Sequence, residues 1–219
     1  MAEKKGNGVT IQLICVRASF PQVFERDKYK RYSSNFLIVP GSDADKQIRA
    51  AIQQAAKNAW GEEPVDSTDA EGNKIQIPSY VAKLKQLKAK DEVCYRDGAN
   101  KTDKDGNPTP GYEGMWYLTG TSQVQPTLLN EVGDEITKES GKLYSGSYVI
   151  AIVEIWPQNG PEYYGMRCQL QGLKHYKDGE SFGSGRRARA DEFAEVPGNV
   201  DDDNSDLVGA GNPDDDIPF

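Results

Sequence analysis

Three stretches of this sequence set cations beside flat rings. The first is Lys28-Tyr29-Lys30-Arg31-Tyr32. The second is Arg96 with the later Tyr112, Trp116 and Tyr117. The third is Tyr163, Tyr164 and Arg167. Ammonium and guanidinium groups pair with phosphate, and aromatic faces stack on any base, at about 1–3 kcal/mol per base. Together they suit an unpaired nucleic-acid strand held without sequence preference. Tyr29 and Tyr32 are flanked by cations, which favours exposure and makes the first stretch the strongest candidate. A lone Trp in a strand reads more readily as core, so Trp116 is ambiguous. Successive strand residues point to opposite faces, so Trp116 and Tyr117 cannot both face one groove.

Further cations have evenly weighted roles. Arg186, Arg187 and Arg189 follow Gly183-Ser184-Gly185 and either clamp a phosphate backbone or hold Asp191, Glu192 and Glu195. Lys83, Lys85, Lys88 and Lys90 point around a helix and fit a solvated face as well as a phosphate contact. Trp60, at a helix end among alanines, reads as packing.

Other chemistries fare worse. The single histidine, His175, offers no triad, and no phosphate-binding glycine loop is present. The three cysteines, Cys15, Cys94 and Cys168, are far apart and read as reduced thiols rather than metal ligands. A Mg²⁺-dependent nuclease would need converging carboxylates. The acids fall mostly in loops and turns, and Glu154 alone sits well inside an apolar strand. A binding protein without catalytic residues, metal or cofactor is therefore expected. An acidic decoy that mimics DNA is a second alternative.

The net charge of −8 first argues against nucleic acid. Residues 197–219, however, hold seven aspartates and no Lys or Arg, which leaves the rest of the chain at −1. A near-neutral body binds a polyanion when its cations share one face.

The elements that must position these groups are mostly extended. Residues 1–8 read as a flexible leader. Val9–Phe24 alternates as a strand interrupted at Pro21, and Tyr32–Val39 is a second strand. Ser42 or Asp43 caps a helix carrying Ile48, Ala51, Ile52, Ala55, Ala56 and Ala59, and Gly61 ends it. Residues 61–79 read as loop, Tyr80–Lys90 as a short helix, and 97–114 as a long exposed loop. Strands follow at Val93–Arg96, Met115–Ser122, Pro126–Asn130, Lys142–Trp156 (bent at Gly146) and Tyr163–Leu173. Strands without regular strand–helix alternation argue for a mainly β protein with inserted helices. A five-stranded antiparallel OB-type barrel with long loops fits, ahead of a generic sandwich. That places one domain at 9–196, followed by a tail at 197–219 too polar to bury a core and expected to be disordered. No apolar run is long enough for a membrane span, and the start lacks a signal-peptide pattern, so a cytoplasmic protein is expected.

The tail ends Asp214-Asp215-Asp216-Ile217-Pro218-Phe219. Phe219 offers a ring and a free carboxylate together, suited to an apolar pocket with a cationic mouth. The aspartates steer toward a basic rim and compete with nucleic acid for the chain's own cations. These six residues resemble the C-terminal tip of bacterial single-stranded DNA-binding proteins, which docks onto replication and repair enzymes. The body resembles a group of bacteriophage single-stranded DNA-binding proteins. Lys30-Arg31-Tyr32-Ser33-Ser34-Asn35-Phe36-Leu37-Ile38-Val39-Pro40, Trp60-Gly61, Tyr95-Arg96-Asp97-Gly98, Tyr112-Glu113-Gly114-Met115-Trp116-Tyr117, Tyr144-Ser145-Gly146 and 172–196 carry the likeness. It implies an OB fold, a role in phage DNA replication, recombination or repair, and host or phage proteins recruited through the tail. Self-association is left open. Deleting Phe219 should leave oligo-dT affinity nearly unchanged and abolish recruitment of partner proteins, as measured by pull-down beside a DNA titration.

Overall fold

A computed structural model describes residues 7–69, 72–103, 105–160 and 164–182. The elements are β1 (Val9–Gln22), β2 (Tyr32–Ile38), α1 (Asp43–Trp60), β3 (Pro64–Thr68), β4 (Lys74–Pro78), α2 (Ser79–Ala89), β5 (Tyr95–Asp97), β6 (Trp116–Ser122), β7 (Thr127–Leu129), β8 (Tyr148–Asn159) and β9 (Tyr164–Lys177). Five strands pair around a closed circuit, β6–β2–β1–β8–β9 and back to β6, which is the OB-type barrel expected from the sequence. Neighbours are antiparallel except at the closure, where β6 meets β9 in parallel through Thr121 and Gln169.

Alternation decides which side chains fill the barrel. Leu13, Phe36, Ile38, Leu118, Val153, Ile155, Met166 and Leu170 are buried at its centre. Burying such a side chain contributes about 1.5–3 kcal/mol. β1 bends enough to contribute to both sides of the barrel because its register shifts between Leu13 and Val16, with Cys15 at φ 56°. Pro21 does not end β1, which runs on to Gln22. The 61–79 stretch is not simply loop: β3 and β4 form a separate hairpin in which half-buried residues alternate with exposed ones. Gly146 precedes β8 rather than bending it. Its φ of 116°, with the Glu180 carbonyl close against the place where a Cβ would stand, makes it a crossing point for residues 178–182.

α1 lays Ile48, Ala51, Ile52, Ala55 and Ala56 against the barrel, and its alanines allow close approach. Ser42 caps it by accepting from the Asp45 N–H (3.3 Å). Asp45 in turn ties the helix start to the sheet. It accepts from the Gly41 N–H (2.9 Å), the Tyr95 hydroxyl (2.7 Å) and Arg49 Nε (2.6 Å). Burial works to raise the Asp45 pKa, but the three donors together outweigh it and hold the carboxyl below its ordinary value. A carboxylate held low stabilises the fold above the unfolded-state pKa and loses that contribution as pH falls through the folded value. Asp45→Asn should cost about 1–3 kcal/mol at neutral pH. In urea melts across pH, the difference from wild type should shrink as acid protonates Asp45.

Candidate nucleic-acid interface

The barrel seam leaves a gap that becomes the site. β6 pairs with β5 through Trp116, Tyr117 and Leu118, so its edge is taken before it can follow β9. The segment leading into β5 spans the space between them. The Cys94 N–H donates to the Met166 carbonyl (2.9 Å), and the Thr119 N–H donates to the Cys94 carbonyl (3.0 Å). On the outer side of this seam lies a cleft of about 880 Å³. Thr119 and Thr121 of β6, Trp156 and Gln158 of β8, and Arg167 and Gln169 of β9 line it. Arg31 enters from the β1–β2 loop and Arg96 from β5.

One arginine thus arrives from each of the three cation–ring stretches. The residues between them are far apart in sequence, and only barrel closure unites them. Arg167 donates from Nε to Gln158 Oε1 (2.9 Å), and its terminal nitrogen lies 2.7 Å from Glu92 Oε2. Gly165 makes that path possible: a Cβ there would stand 2.8 Å from the Arg167 guanidinium carbon. The cleft floor includes Cys94 and Cys168. Burial pushes the Cys94 thiol up to about 12, and burial followed by the neighbouring Cys94 raises Cys168. Both are therefore neutral, apolar groups beneath the cations.

The β1–β2 loop is shaped by Asp27, whose carboxylate accepts from the Tyr29 N–H (2.8 Å) and the Arg31 N–H (2.9 Å). Lys30 takes φ 61° to complete the turn. Tyr29 is 63% exposed, with Lys28 and Arg31 about its ring at 5.0 and 5.1 Å. Tyr32 is half-buried, with Arg26 5.7 Å from its ring centre. Lys28 and Lys30 are exposed on this loop beside Arg31.

Several expected rings lie elsewhere. Tyr112 is buried: its hydroxyl accepts from Asn35 (2.9 Å) and donates to Ser19 (3.1 Å), and its ring meets Tyr117 edge-on at 5.2 Å. Tyr112, Tyr117 and Leu37 form a small core of their own, roofed by Met115 and Phe182. Neither tyrosine can present a face to a base. Trp116 takes the opposite face of β6, packing on Tyr95 (5.1 Å) with Arg49 over it (4.5 Å). Tyr164 lies on the other face of β9 from Arg167. It stacks on Trp60 (6.1 Å) under Lys83 (4.1 Å), so Trp60 is packing as expected. Tyr163, Arg186, Arg187, Arg189 and the tail residues Asp214, Asp215, Asp216, Ile217, Pro218 and Phe219 lie outside the described residues.

Trp156 is the ring that sequence reasoning missed. The signal was available. Val153, Ile155 and Pro157 point inward, so alternation sends Glu154, Trp156 and Gln158 outward. Register places Trp156 opposite Arg167, on the same face. As for rival chemistries, Glu154 accepts from Gln171 (3.3 Å). Among the described residues no three His, Cys, Asp or Glu side chains converge to hold a metal ion. His175 is buried between Glu131 (2.8 Å) and Asp178 (3.4 Å), away from the cleft-lining set.

The family described as Enterobacter phage Enc34, ssDNA-binding protein, matches residues 9–207. The chain belongs to this family. Among the relatives of this chain, a putative protein p50 of Acyrthosiphon pisum secondary endosymbiont phage 1 is 29% identical, the match covering 85% of this chain and 93% of that one. The single-stranded DNA-binding protein of bacteriophage Enc34 has a similar fold, with TM-score 0.56 and 22% identity over 85% of this chain and 94% of the other. The same Enc34 protein solved in complex with ssDNA gives TM-score 0.56 and 21% identity, over 83% and 97% of the two chains. Among the described residues of this family member, no helix is long and apolar enough to cross a membrane.

The cleft separates charge from stacking in a measurable way. Arg31→Ala, Arg96→Ala and Arg167→Ala should each flatten the log–log salt dependence of oligo-dT affinity by about 0.7 per lost phosphate contact. Trp156→Ala should cost about 1–3 kcal/mol and leave that slope unchanged. Tyr164→Ala should alter neither quantity in the same titrations.

Proposed function

We propose that this chain binds single-stranded DNA without sequence preference in the cleft between β6, β8 and β9, and serves phage DNA replication, recombination or repair. The observation that carries this reading is the convergence of Arg31, Arg96 and Arg167 with Trp156 in one cleft. Cations track phosphates while an indole stacks on a base of any identity. Thr119, Thr121, Gln158 and Gln169 add hydrogen-bonding groups that suit sugar and phosphate as well as base edges. Membership in a family of phage ssDNA-binding proteins, one of them solved with ssDNA, supports the same assignment. It weighs against the nuclease and the decoy.

The acidic tail supplies the second half of the proposal. Its aspartates compete with DNA for the cleft arginines, and Phe219 docks host or phage replication and recombination proteins in the cytoplasm of the host cell. A strand that occupies the arginines releases the tail for those partners. Fluorescence titration with oligo-dT, duplex and RNA across salt tests this, using the full chain and one ending at Val196. The shorter chain should bind oligo-dT more tightly. Equal affinity would remove the competition, and no binding by either chain would remove the function.

A further inference from the structure

Each cleft arginine is already paired with a carboxylate of its own chain. Arg31 lies 3.6 Å from Asp27, Arg96 lies 2.9 Å from Asp91, and Arg167 lies 2.7 Å from Glu92. Asp27 is accounted for by the turn it builds. Asp91 and Glu92 are different, because one two-residue turn answers two arginines that reach the cleft from separate strands.

That turn is firmly held. Asp91 takes φ 56° at the end of α2. The Glu92 N–H donates to the Leu87 carbonyl (2.9 Å), and the Glu92 carbonyl accepts from Met166 on β9 (2.9 Å). Asp91 engages Arg96 twice, through its carboxylate and through its carbonyl (2.6 Å). The backbone thus holds the turn, and the ion pairs set both carboxylates beside the cleft arginines, with their side chains 75% and 41% exposed. They are within reach of any polyanion that approaches the arginines.

We infer that Asp91 and Glu92 are selectivity-determining residues that hold the cleft near electrical neutrality and so bias it toward unpaired strands over duplex. This rests on the cleft being the DNA site. A strand with free bases gains stacking on Trp156, which survives a weakened field. A duplex keeps its bases stacked internally and relies on phosphate contacts. It also carries a charge every ~1.7 Å of axis, against ~3.4 Å for one strand, so two fixed carboxylates repel it more strongly. Neutralised arginines still donate: Arg167 uses Nε for Gln158 and one terminal nitrogen for Glu92, out of five N–H groups.

The test is the double variant Asp91→Asn with Glu92→Gln in the full chain, with Glu92→Gln alone as a second arm. The amides keep the shape and one acceptor oxygen and remove the charge. Anisotropy titrations with oligo-dT and with a duplex of matched length, across salt, read both affinities. Duplex affinity should rise about tenfold and oligo-dT affinity by about threefold or less, with steeper salt dependence for both. Equal gains, no gain, or a loss on both ligands would overturn the inference. Arg96→Ala with Arg167→Ala separates the two claims. If that pair leaves oligo-dT binding intact, the cleft itself is misassigned. If it weakens binding while the amide variants keep the wild-type ratio, only the selectivity claim fails.

Discussion

Everything in this structure turns on how the barrel closes. β6 and β9 meet in parallel at Thr121 and Gln169 alone, because the segment from Val93 to Asp97 has already taken the neighbouring edge of β6. An inserted backbone cannot be left with unsatisfied amides, and it is not. Cys94 donates to β9 and accepts from β6. The seam is therefore closed for hydrogen bonds yet splayed on its outer side. That splay is the cleft, and it draws residues from four strands and the β1–β2 loop into reach of one another.

Strand alternation then fixes what the cleft presents. On β8 and β9, inward Val153, Ile155, Met166 and Leu170 are core. The residues between them must face out, and these include Trp156, Gln158, Arg167 and Gln169. The same rule removes Trp116 and Tyr164, which fall on the opposite faces of their strands. Tyr117 has the right face but the wrong height. There the loop before β6 folds back, and Tyr112 seals the surface by hydrogen bonding to Asn35 and Ser19. One end of this face is thus a second small core, and the other end is open.

Much of this was legible in the sequence. Helical spacing and the Ser42 and Gly61 boundaries located α1, and hairpin signals pointed to a barrel with an inserted helix. All three arginine positions were legible too, since a cation within an otherwise alternating strand or turn has few reasons to be there. Which rings would accompany them was harder. Exposure depends on what covers a strand face, and the cover at Tyr112 and Tyr117 comes from Phe182, distant in sequence. Trp156 is hard to single out because it closes an apolar run and reads as part of it. The β3–β4 hairpin reads as loop in the sequence because its Gly, Pro and Asp content masks two five-residue strands. Closure between β6 and β9 has no local signature at all.

The most direct test of the central claim is photo-crosslinking of the full chain to an oligo-dT carrying 5-iodouracil, with the attachment sites mapped by mass spectrometry. Attachment at Trp156 would bear the account out, since the indole must lie against a base. Crosslinks confined to Trp60 or Tyr164, with Trp156 unmodified, would contradict it.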